Sequence, residues 1–460
     1  MNKVRLPLHP AAQGALLADG SRPKIIPADV SGRFQSMRTA LGYVLILFAA
    51  VLPWIKVGGS PAFFLDVENR HFFLLGHPFN AQDGPLLFLL VTGVGFSLIV
   101  MTTLLGRVWC GYACPHSVVL DRLFRPIERL IEGSRDARFR RDAGPWTANR
   151  AARFAAKHAA FLFLSFALAH GVLSYFVTVP GVFALVRGSP ATHLTAFVWT
   201  MAMTAVIYAN FGYFREQLCL GVCPYGRLQG VLVDDDTLSI GYDAARGEPR
   251  VKAGHDGGAC VDCNRCVVVC PTGIDIRNGA QLDCIGCAAC VDACDDIMAK
   301  LGRPKGLVRY ESLRGFSGAG RRILRPRVAV YGVLGLVGFI VLMVAVLSRH
   351  AEAELNVTRL PGAPYQLQGD TVRNSFDAHL MSKRAEAAVF DLSVEAPPGA
   401  DVVLAVPRAE VPALGSLHAP IFVTTPRDLP PNQRTVHVHA RREGGGETLS
   451  ADVVLVVPSS

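Results

Sequence analysis

The chain has 460 residues, 51% of them apolar and only 18% charged, with a net charge of +9 from 46 basic and 37 acidic residues. An ordinary soluble domain carries about 25% charged residues, so this composition excludes a single water-soluble globule, and the aliphatic content excludes disorder over most of the length. The twelve cysteines are too sparse for a disulfide-stapled secreted scaffold.

Residues 1–40 read as a polar, basic tail with no cleavable leader. Apolar runs of the kind needed to cross a ~30 Å hydrocarbon core follow at 41–55 (short, and weakened by Pro53), 86–105, 159–179, 194–214 and 328–347. The second and fifth runs carry no charge. Basic residues then set the orientation. Segments 1–40, 106–158 and 215–327 hold 6, 11 and 16 of them, whereas the short loops 56–85 and 180–193 hold 2 and 1, and the tail 348–460 holds 10. Long tails translocate whatever their charge, so the short loops decide. The N-terminus is expected inside, and the tail outside. The positive balance is therefore a topology signal whose partner is membrane lipid, and nothing points to nucleic acid.

The second span ends in WCGYACP at 109–115, which holds Cys110 and Cys114. Behind it, Leu123, Ile127, Leu130 and Ile131 recur at helical spacing with Arg122, Arg125 and Arg129 between them. That pattern predicts a helix over 121–132 lying on the inner leaflet. The fourth span ends in LCLGVCP at 218–224, which holds Cys219 and Cys223. The order span, outer loop, span, CxxxCP thus occurs twice, as in parallel repeats about an axis along the membrane normal. Such a repeat puts four thiols at one depth. Helical CxxxC places both sulfurs on one face, and the proline ends or kinks the helix. Three readings stand: a soft-metal thiolate site, copper(I) above all; a third redox centre; or small residues at a packing seam. Tyr112, His116, Tyr225 and Arg227 flank these thiols, and the tyrosines read as interfacial anchors.

The strongest chemical signal lies between the fourth and fifth spans. Cys260, Cys263, Cys266 and Cys270 form CxxCxxCxxxCP, and Cys284, Cys287, Cys290 and Cys294 repeat the spacing. This is the bacterial two-cluster ferredoxin pattern, in which each run's fourth cysteine ligates the other cluster. The expected sets are Cys260, Cys263, Cys266 and Cys294 for one [4Fe–4S] cluster, and Cys270, Cys284, Cys287 and Cys290 for the other. Zinc motifs bring CxxC pairs across longer spacers, and disulfides do not suit a cytosolic loop. Gly273 and Gly286 offer backbone N–H groups to cluster sulfurs, but read first as turn glycines.

Beyond 348 the character changes to alternating apolar runs at 388–394, 402–406, 421–425, 435–439 and 452–457, separated by Pro and Gly clusters. This predicts a β-sandwich of about 110 residues. His437 and His439 share a strand face and read as exposed imidazoles, and His71 and His77 as loop histidines.

The fold class is a multi-domain integral membrane protein. A basic tail spans 1–40, a four-helix region with two CxxxCP motifs 41–231, a two-cluster ferredoxin-like domain 232–327, a fifth span 328–347 and a β-sandwich 348–460.

Several strings extend the pattern well beyond a generic ferredoxin: LPWI at 52–55, PFNAQD at 78–83, REQLC at 215–219, CPY at 223–225, GEPR at 247–250, CPTGIDIR at 270–277, CVDACD at 290–295 and GLVRY at 306–310. With the two CxxxCP motifs they resemble the FixG/RdxA/CcoG family of cytochrome c oxidase accessory proteins, over nearly the whole chain. The resemblance implies an Ig-like outer, periplasmic domain on a bacterial inner-membrane protein. It also implies a role in assembling cbb-type cytochrome c oxidase, by reducing Cu(II) to Cu(I) for delivery. Copper ions, the oxidase or its copper-delivery factors, and a cytosolic electron donor are the implied partners. Cys110, Cys114, Cys219 and Cys223 are then the candidate catalytic thiols. His116 and Ser117 stand where the family has Gln and Thr, and His116 is not carried over as a ligand. Two rival readings are a quinol-linked electron conduit to a partner reductase and a non-enzymatic redox-sensing scaffold.

Overall fold

The computed structural model describes residues 25–57, 60–67, 71–75, 77–79, 84–252, 256–347, 353–382, 387–412, 415–430, 433–445 and 448–457. The chain divides into two compact units. One comprises residues 1–55 and 87–342, the other residues 56–86 and 343–460.

In the first unit, helices over Arg33–Trp54, Leu86–Leu105, Ala148–Val177, Leu194–Phe214 and Pro326–Val344 are long and apolar enough to span a membrane. They match the five expected runs, with two extended starts. The first helix begins at Arg33, and the third at Ala148, where Thr147 accepts a hydrogen bond from the Arg150 N–H. Residues 148–158 are helical but carry Arg150, Arg153 and Lys157, so a search for apolar runs sees only the later turns. Pro53 acts as expected: the first helix tightens into a 3-10 turn at Leu52–Trp54 and stops. A left-handed Thr178 (φ 59) separates the third span from a short helix, Val179–Arg187.

The segment after the first CxxxCP is helical, with a π-type turn at Leu120–Phe124 running into Arg125–Glu132. Its packing is set by the elements it docks against. Leu130 is 85% exposed, whereas Glu128 is 1% exposed. Phe124 explains part of this: it stacks on Phe211 and meets Phe161 edge-on, so the segment docks against the third and fourth spans. Buried ion pairs explain the rest. Glu128 takes two hydrogen bonds from Arg215 (2.7 and 3.1 Å) and pairs with Arg138 (3.3 Å). Glu132 pairs with Arg138 (3.0 Å) and Lys157 (2.9 Å).

The cysteine-rich segment is bracketed by an antiparallel pair, Ser239–Tyr242 with Val308–Glu311. Among the helices inside it are Arg265–Val268 and Ala289–Lys300. Each begins one residue after a left-handed backbone position, Asn264 (φ 56) and Ala288 (φ 59). These two residues occupy the same place in the two CxxC turns, Cys263–Cys266 and Cys287–Cys290. The duplication visible in cysteine spacing is thus also a duplication of backbone conformation. Ala288 adopts it without the freedom of glycine, a local strain held by its surroundings.

The second unit contains a loop region and a β-domain. The loop carries a three-stranded meander, Phe63–Asp66, His71–Leu74 and His77–Phe79, with Phe72 stacked on Phe79 at 4.9 Å. The side chains of His71 and His77, and residues 80–83 of the PFNAQD string, lie outside the described residues. The β-domain is two antiparallel sheets. One runs Asp401–Leu404, Ser416–Pro426, Thr371–Ser382, Ala353–Arg359, with Gln366–Gln368 also on Thr371–Ser382. The other runs Arg408–Val411, Ala388–Glu395, Thr435–Arg442, Thr448–Val454. Phe376, Leu380, Ile421, Phe390, Leu392 and Val438 fill the space between them. Burying an aliphatic or aromatic side chain of this size is worth about 1.5–3 kcal/mol, which lets the domain hold together without cystine.

Candidate functional site

Two cavities sit side by side in the ferredoxin-like segment. Cys260, Cys263, Cys266 and Cys294 line one, with Tyr242, Ile297 and Leu307. Cys270, Cys284, Cys287 and Cys290 line the other, which Cys266 also borders, with Ile274, Ile276 and Ile285. Each cavity is thus a ring of thiols in an apolar shell, the donor set and surroundings that an iron–sulfur cube takes. Burial pushes the thiols of Cys266, Cys284 and Cys294 up to about 12. Backbone N–H groups pull the other way: Gly286 on Cys284, and Val308 on Cys294. Gly286 reads from sequence first as a turn, and second as an N–H donor to a cluster sulfur. It does turn (φ 67), and its N–H also reaches a cluster-type thiol. Cys263 is the exposed cysteine, whereas Cys287 and Cys290 are buried.

Arg277 locks the first cavity's loop. Its guanidinium donates to Asp275 (2.6 Å), Asp262 (2.7 Å) and Asn264 (2.5 Å), closing the left-handed turn. Burial raises the Asp275 carboxyl, but the hydrogen bonds from Arg277 outweigh it and hold the group below its usual range.

The four remaining thiols belong to two span ends that the fold ties together. Cys110 lies in a short helix, Val108–Tyr112, and Cys219 in a π-type turn, Leu218–Val222. Cys114 and Cys223 each stand immediately before a proline-initiated helix, with nearly identical extended backbones (φ −60, ψ 124 and φ −63, ψ 115). Arg107 donates to the Gly226 carbonyl, and the fully buried Gln229 donates to the Cys110 sulfur at 3.5 Å. Burial pushes Cys219 up to about 12, and the neighbouring charges of Cys114, Cys110 and Cys223 add to it. The thiols of both motifs therefore share one neighbourhood. Among the described residues, no three His, Cys, Asp or Glu side chains are gathered into a ready-made cage for a single ion.

This neighbourhood abuts the second cavity. Cys110 packs on the buried cluster that contains Ile285, Cys287 and Ala289. Gly111, between the two cysteines, leaves no room for a side chain: a Cβ there would lie 2.8–2.9 Å from the Ile285 carbonyl, the Gly286 carbonyl and the Cys287 Cα. The Gly111 carbonyl is held by Arg38 (2.9 Å), which also pairs with Asp121 (2.7 Å). Asp121 and Glu216 in turn grip Arg125, so the REQLC string ties the second repeat to the first. Tyr310, from GLVRY, donates to the Gly286 carbonyl, and its hydroxyl lies 3.4 Å from that of Tyr112.

The flanking residues resolve differently from expectation. Tyr112 is buried under Tyr310, and Tyr225 bonds Thr102 of the second span (2.6 Å). Both are packing and bonding groups rather than interfacial anchors. His116 is occupied at both nitrogens. Nδ1 accepts from Asn210 (3.2 Å), Nε2 donates to the Arg215 carbonyl (2.9 Å), and the ring stacks on Phe211. Arg227 donates to the Gly221 carbonyl at 3.2 Å. His437 bonds Asp452 (2.6 Å), and His439 lies 3.9 Å from Glu395. Sequence reasoning missed Gln229, Arg107 and the contact at Gly111. The first had a signal, a lone amide inside the apolar stretch 228–233; the other two depend on tertiary packing.

Comparison with known proteins agrees with this geometry. A 4Fe-4S dicluster domain family matches residues 214–313, a 4Fe-4S binding domain family matches 86–133, and the IG-like fold at the C-terminal of FixG matches 343–458. Nitrogen fixation protein FixG of Rhizobium meliloti is 35% identical over 434 residues, covering 84% of this chain and 81% of that protein. Protein RdxA of Cereibacter sphaeroides is 35% identical over 400 residues, covering 82% and 83%. Protein RdxB of the same organism is 33% identical over 462 residues, covering 95% and 93%. The chain belongs to the FixG/RdxA family and is a membrane iron–sulfur electron-transfer protein with an Ig-like C-terminal domain.

Proposed function

We propose that this protein reduces Cu(II) to Cu(I) at the inner face of the bacterial inner membrane, in support of assembling cbb-type cytochrome c oxidase. In this reading the N-terminus and all cysteines face the cytoplasm, and the Ig-like domain faces the periplasm, as the distribution of basic residues in the short loops supports. Cys260, Cys263, Cys266 and Cys294 would hold one [4Fe–4S] cluster, and Cys270, Cys284, Cys287 and Cys290 the other. Bound clusters supply one-electron transfer. The observation that carries the reading is the backbone contact at Gly111, which sets the CxxxCP thiols directly against the Cys287 loop. The exposed edge at Cys263 is open to a cytosolic electron donor. The opposite edge meets Cys110. Copper is the substrate: each Cu(II) takes one electron, and thiolates of Cys110, Cys114, Cys219 and Cys223 favour the Cu(I) product, which then passes to the oxidase or its copper-delivery factors.

The test uses cluster-loaded protein, chemically reduced and freed of reductant, mixed with Cu(II) without oxygen. One Cu(I) is expected per electron lost from the protein. Copper left as Cu(II) while the protein stays reduced sinks the reading. A second reading, a quinol-linked conduit, draws on an apolar cavity of about 190 Å³ between the third and fourth spans, lined by Phe166, His170, His193, Phe197 and Thr200. Quinone co-purifying in stoichiometric amount, lost in a His170→Leu variant, would favour that reading.

A further inference from the structure

The C-terminal β-domain places two histidines, far apart in sequence, directly opposite one another. In the antiparallel pairing of Thr371–Ser382 with Ser416–Pro426, His379 faces His418. Their rings stack with centroids 4.2 Å apart and planes 7° from parallel. Both lie on the outer face of the sheet, opposite the inward-facing Ala378, Leu380 and Ala419. Asp377, two residues before His379 on the same face, holds Nδ1 of His418 at 2.6 Å.

We propose that His379 and His418 form a transition-metal site, with Cu(II) as the ion that suits it best. Directly opposed residues of an antiparallel pair have Cβ atoms about 4.5–5.5 Å apart. Two imidazole nitrogens can then reach one ion at ~2 Å by rotating the rings out of their metal-free stack. Asp377 performs the task of a carboxylate behind a metal-bound histidine: it fixes the ring and its tautomer, and leaves Nε2 of His418 as the coordinating atom. Imidazole donors suit copper, zinc and nickel, and Cu(II) binds most tightly among the divalent ions. Two protein nitrogens with solvent completing the shell make an exchangeable site rather than a cage, consistent with the absence of any three-ligand cluster among the described residues.

The contrast with the other sheet sharpens the assignment. His437 and His439 also share a face, but His437 is opposed by Asp452 and Glu395, and His439 by Ser450 and Ser393. Along one strand, residues two apart are separated by about 6.6 Å, so neither histidine has a second imidazole directly opposed to it. The site is independent of the reductase reading, because none of its ligands belongs to the cysteine-bearing unit.

The test is pulsed EPR of the full-length, cluster-loaded, oxidised protein with Cu(II) alone as the probe. Copper taken up by thiols as Cu(I) is silent, so imidazole-bound Cu(II) reads out separately. The wild type is expected to show nitrogen couplings from two imidazoles, each single variant, His379→Asn or His418→Asn, one, and the double variant none. Asp377→Asn is expected to weaken uptake about 10–100-fold, and His437→Asn to leave the signal unchanged. Iron content and melting temperature, measured alongside, should stay near wild-type values for these outer-face substitutions. The proposal is overturned if the two-imidazole signal is absent from wild type, survives in the double variant, or is lost equally with His437→Asn.

Discussion

Gly111→Ala is the sharpest perturbation of the contact between the thiol pairs and the ferredoxin-like loop. The added methyl meets three atoms at 2.8, 2.9 and 2.9 Å, and all three are backbone. Ordinary contact begins near 3.4 Å, so the two loops must part by about half an ångström or more, and neither can yield by turning a side chain. Overpacking of this kind costs about 1–3 kcal/mol. The eight ferredoxin-type cysteines are untouched, so iron content should match wild type. Melting temperature should fall, and electron loss to Cu(II) after rapid mixing should slow. Gly95→Ala is the control, since nothing lies within 4 Å of a Cβ at that position in the second span. If Gly111→Ala melts and reacts like wild type while Gly95→Ala does the same, the contact has no energetic or functional weight and the reasoning fails.

Other outcomes follow from the buried polar groups. Asp292 accepts hydrogen bonds from the Phe34 and Gln35 N–H groups (3.2 and 2.7 Å), capping the first span from within the ferredoxin-like helix. Asp292→Ala should destabilise the first unit by about 0.5–2 kcal/mol in thermal melts, with Asp292→Asn recovering part of the loss; equal melts for all three would refute the cap. Arg125→Met strips the shared partner from Asp121 and Glu216, and removing one side of a buried pair costs about 3–5 kcal/mol. A smaller loss than for a surface arginine such as Arg129 would contradict that ranking. Burial raises the Asp121 and Glu128 carboxyls, but Arg125 and Arg38 at the first and Arg215 and Arg138 at the second hold both below the usual range. Depressed carboxyls stabilise the fold above the unfolded value of about 4 and stop doing so as pH falls through their folded values. Melting temperature should therefore drop steeply below about pH 4, and less steeply in Arg125→Met. A flat profile there would count against the network.

The sequence was most readable where chemistry forces spacing. The tandem cysteine runs announced two thiol rings because each ring needs three closely spaced ligands and one distant one. Charge-free runs such as 86–105 announced spans because a hydrocarbon core tolerates little else. The helix over 121–132 is legible, but the buried partners of its polar residues are not. Arg122, Arg125 and Arg129 look like a solvated face, but Asp121 and Glu216 bury Arg125 between them. The strand Thr371–Ser382 was missed because Asn374 interrupts its inward alternation. That asparagine is buried, bonded to the Val456 backbone and to Arg359, a satisfaction visible only in three dimensions. The pairing of His379 with His418 depends on strand register, which no local pattern records.

The cap on the first span also carries a message about time. Phe34 and Gln35 leave the ribosome early, and the carboxylate that satisfies their N–H groups is made 257 or more residues later. Until then the leading turn of the first helix must rely on water or frayed geometry. Asp292 sits between Cys290 and Cys294, on the helix that borders both thiol rings. The opening turn of the membrane bundle is therefore among the last parts of its unit to close. It is finished by a residue of the cysteine-rich segment, so the start of the bundle and the segment that carries the thiol rings are completed together.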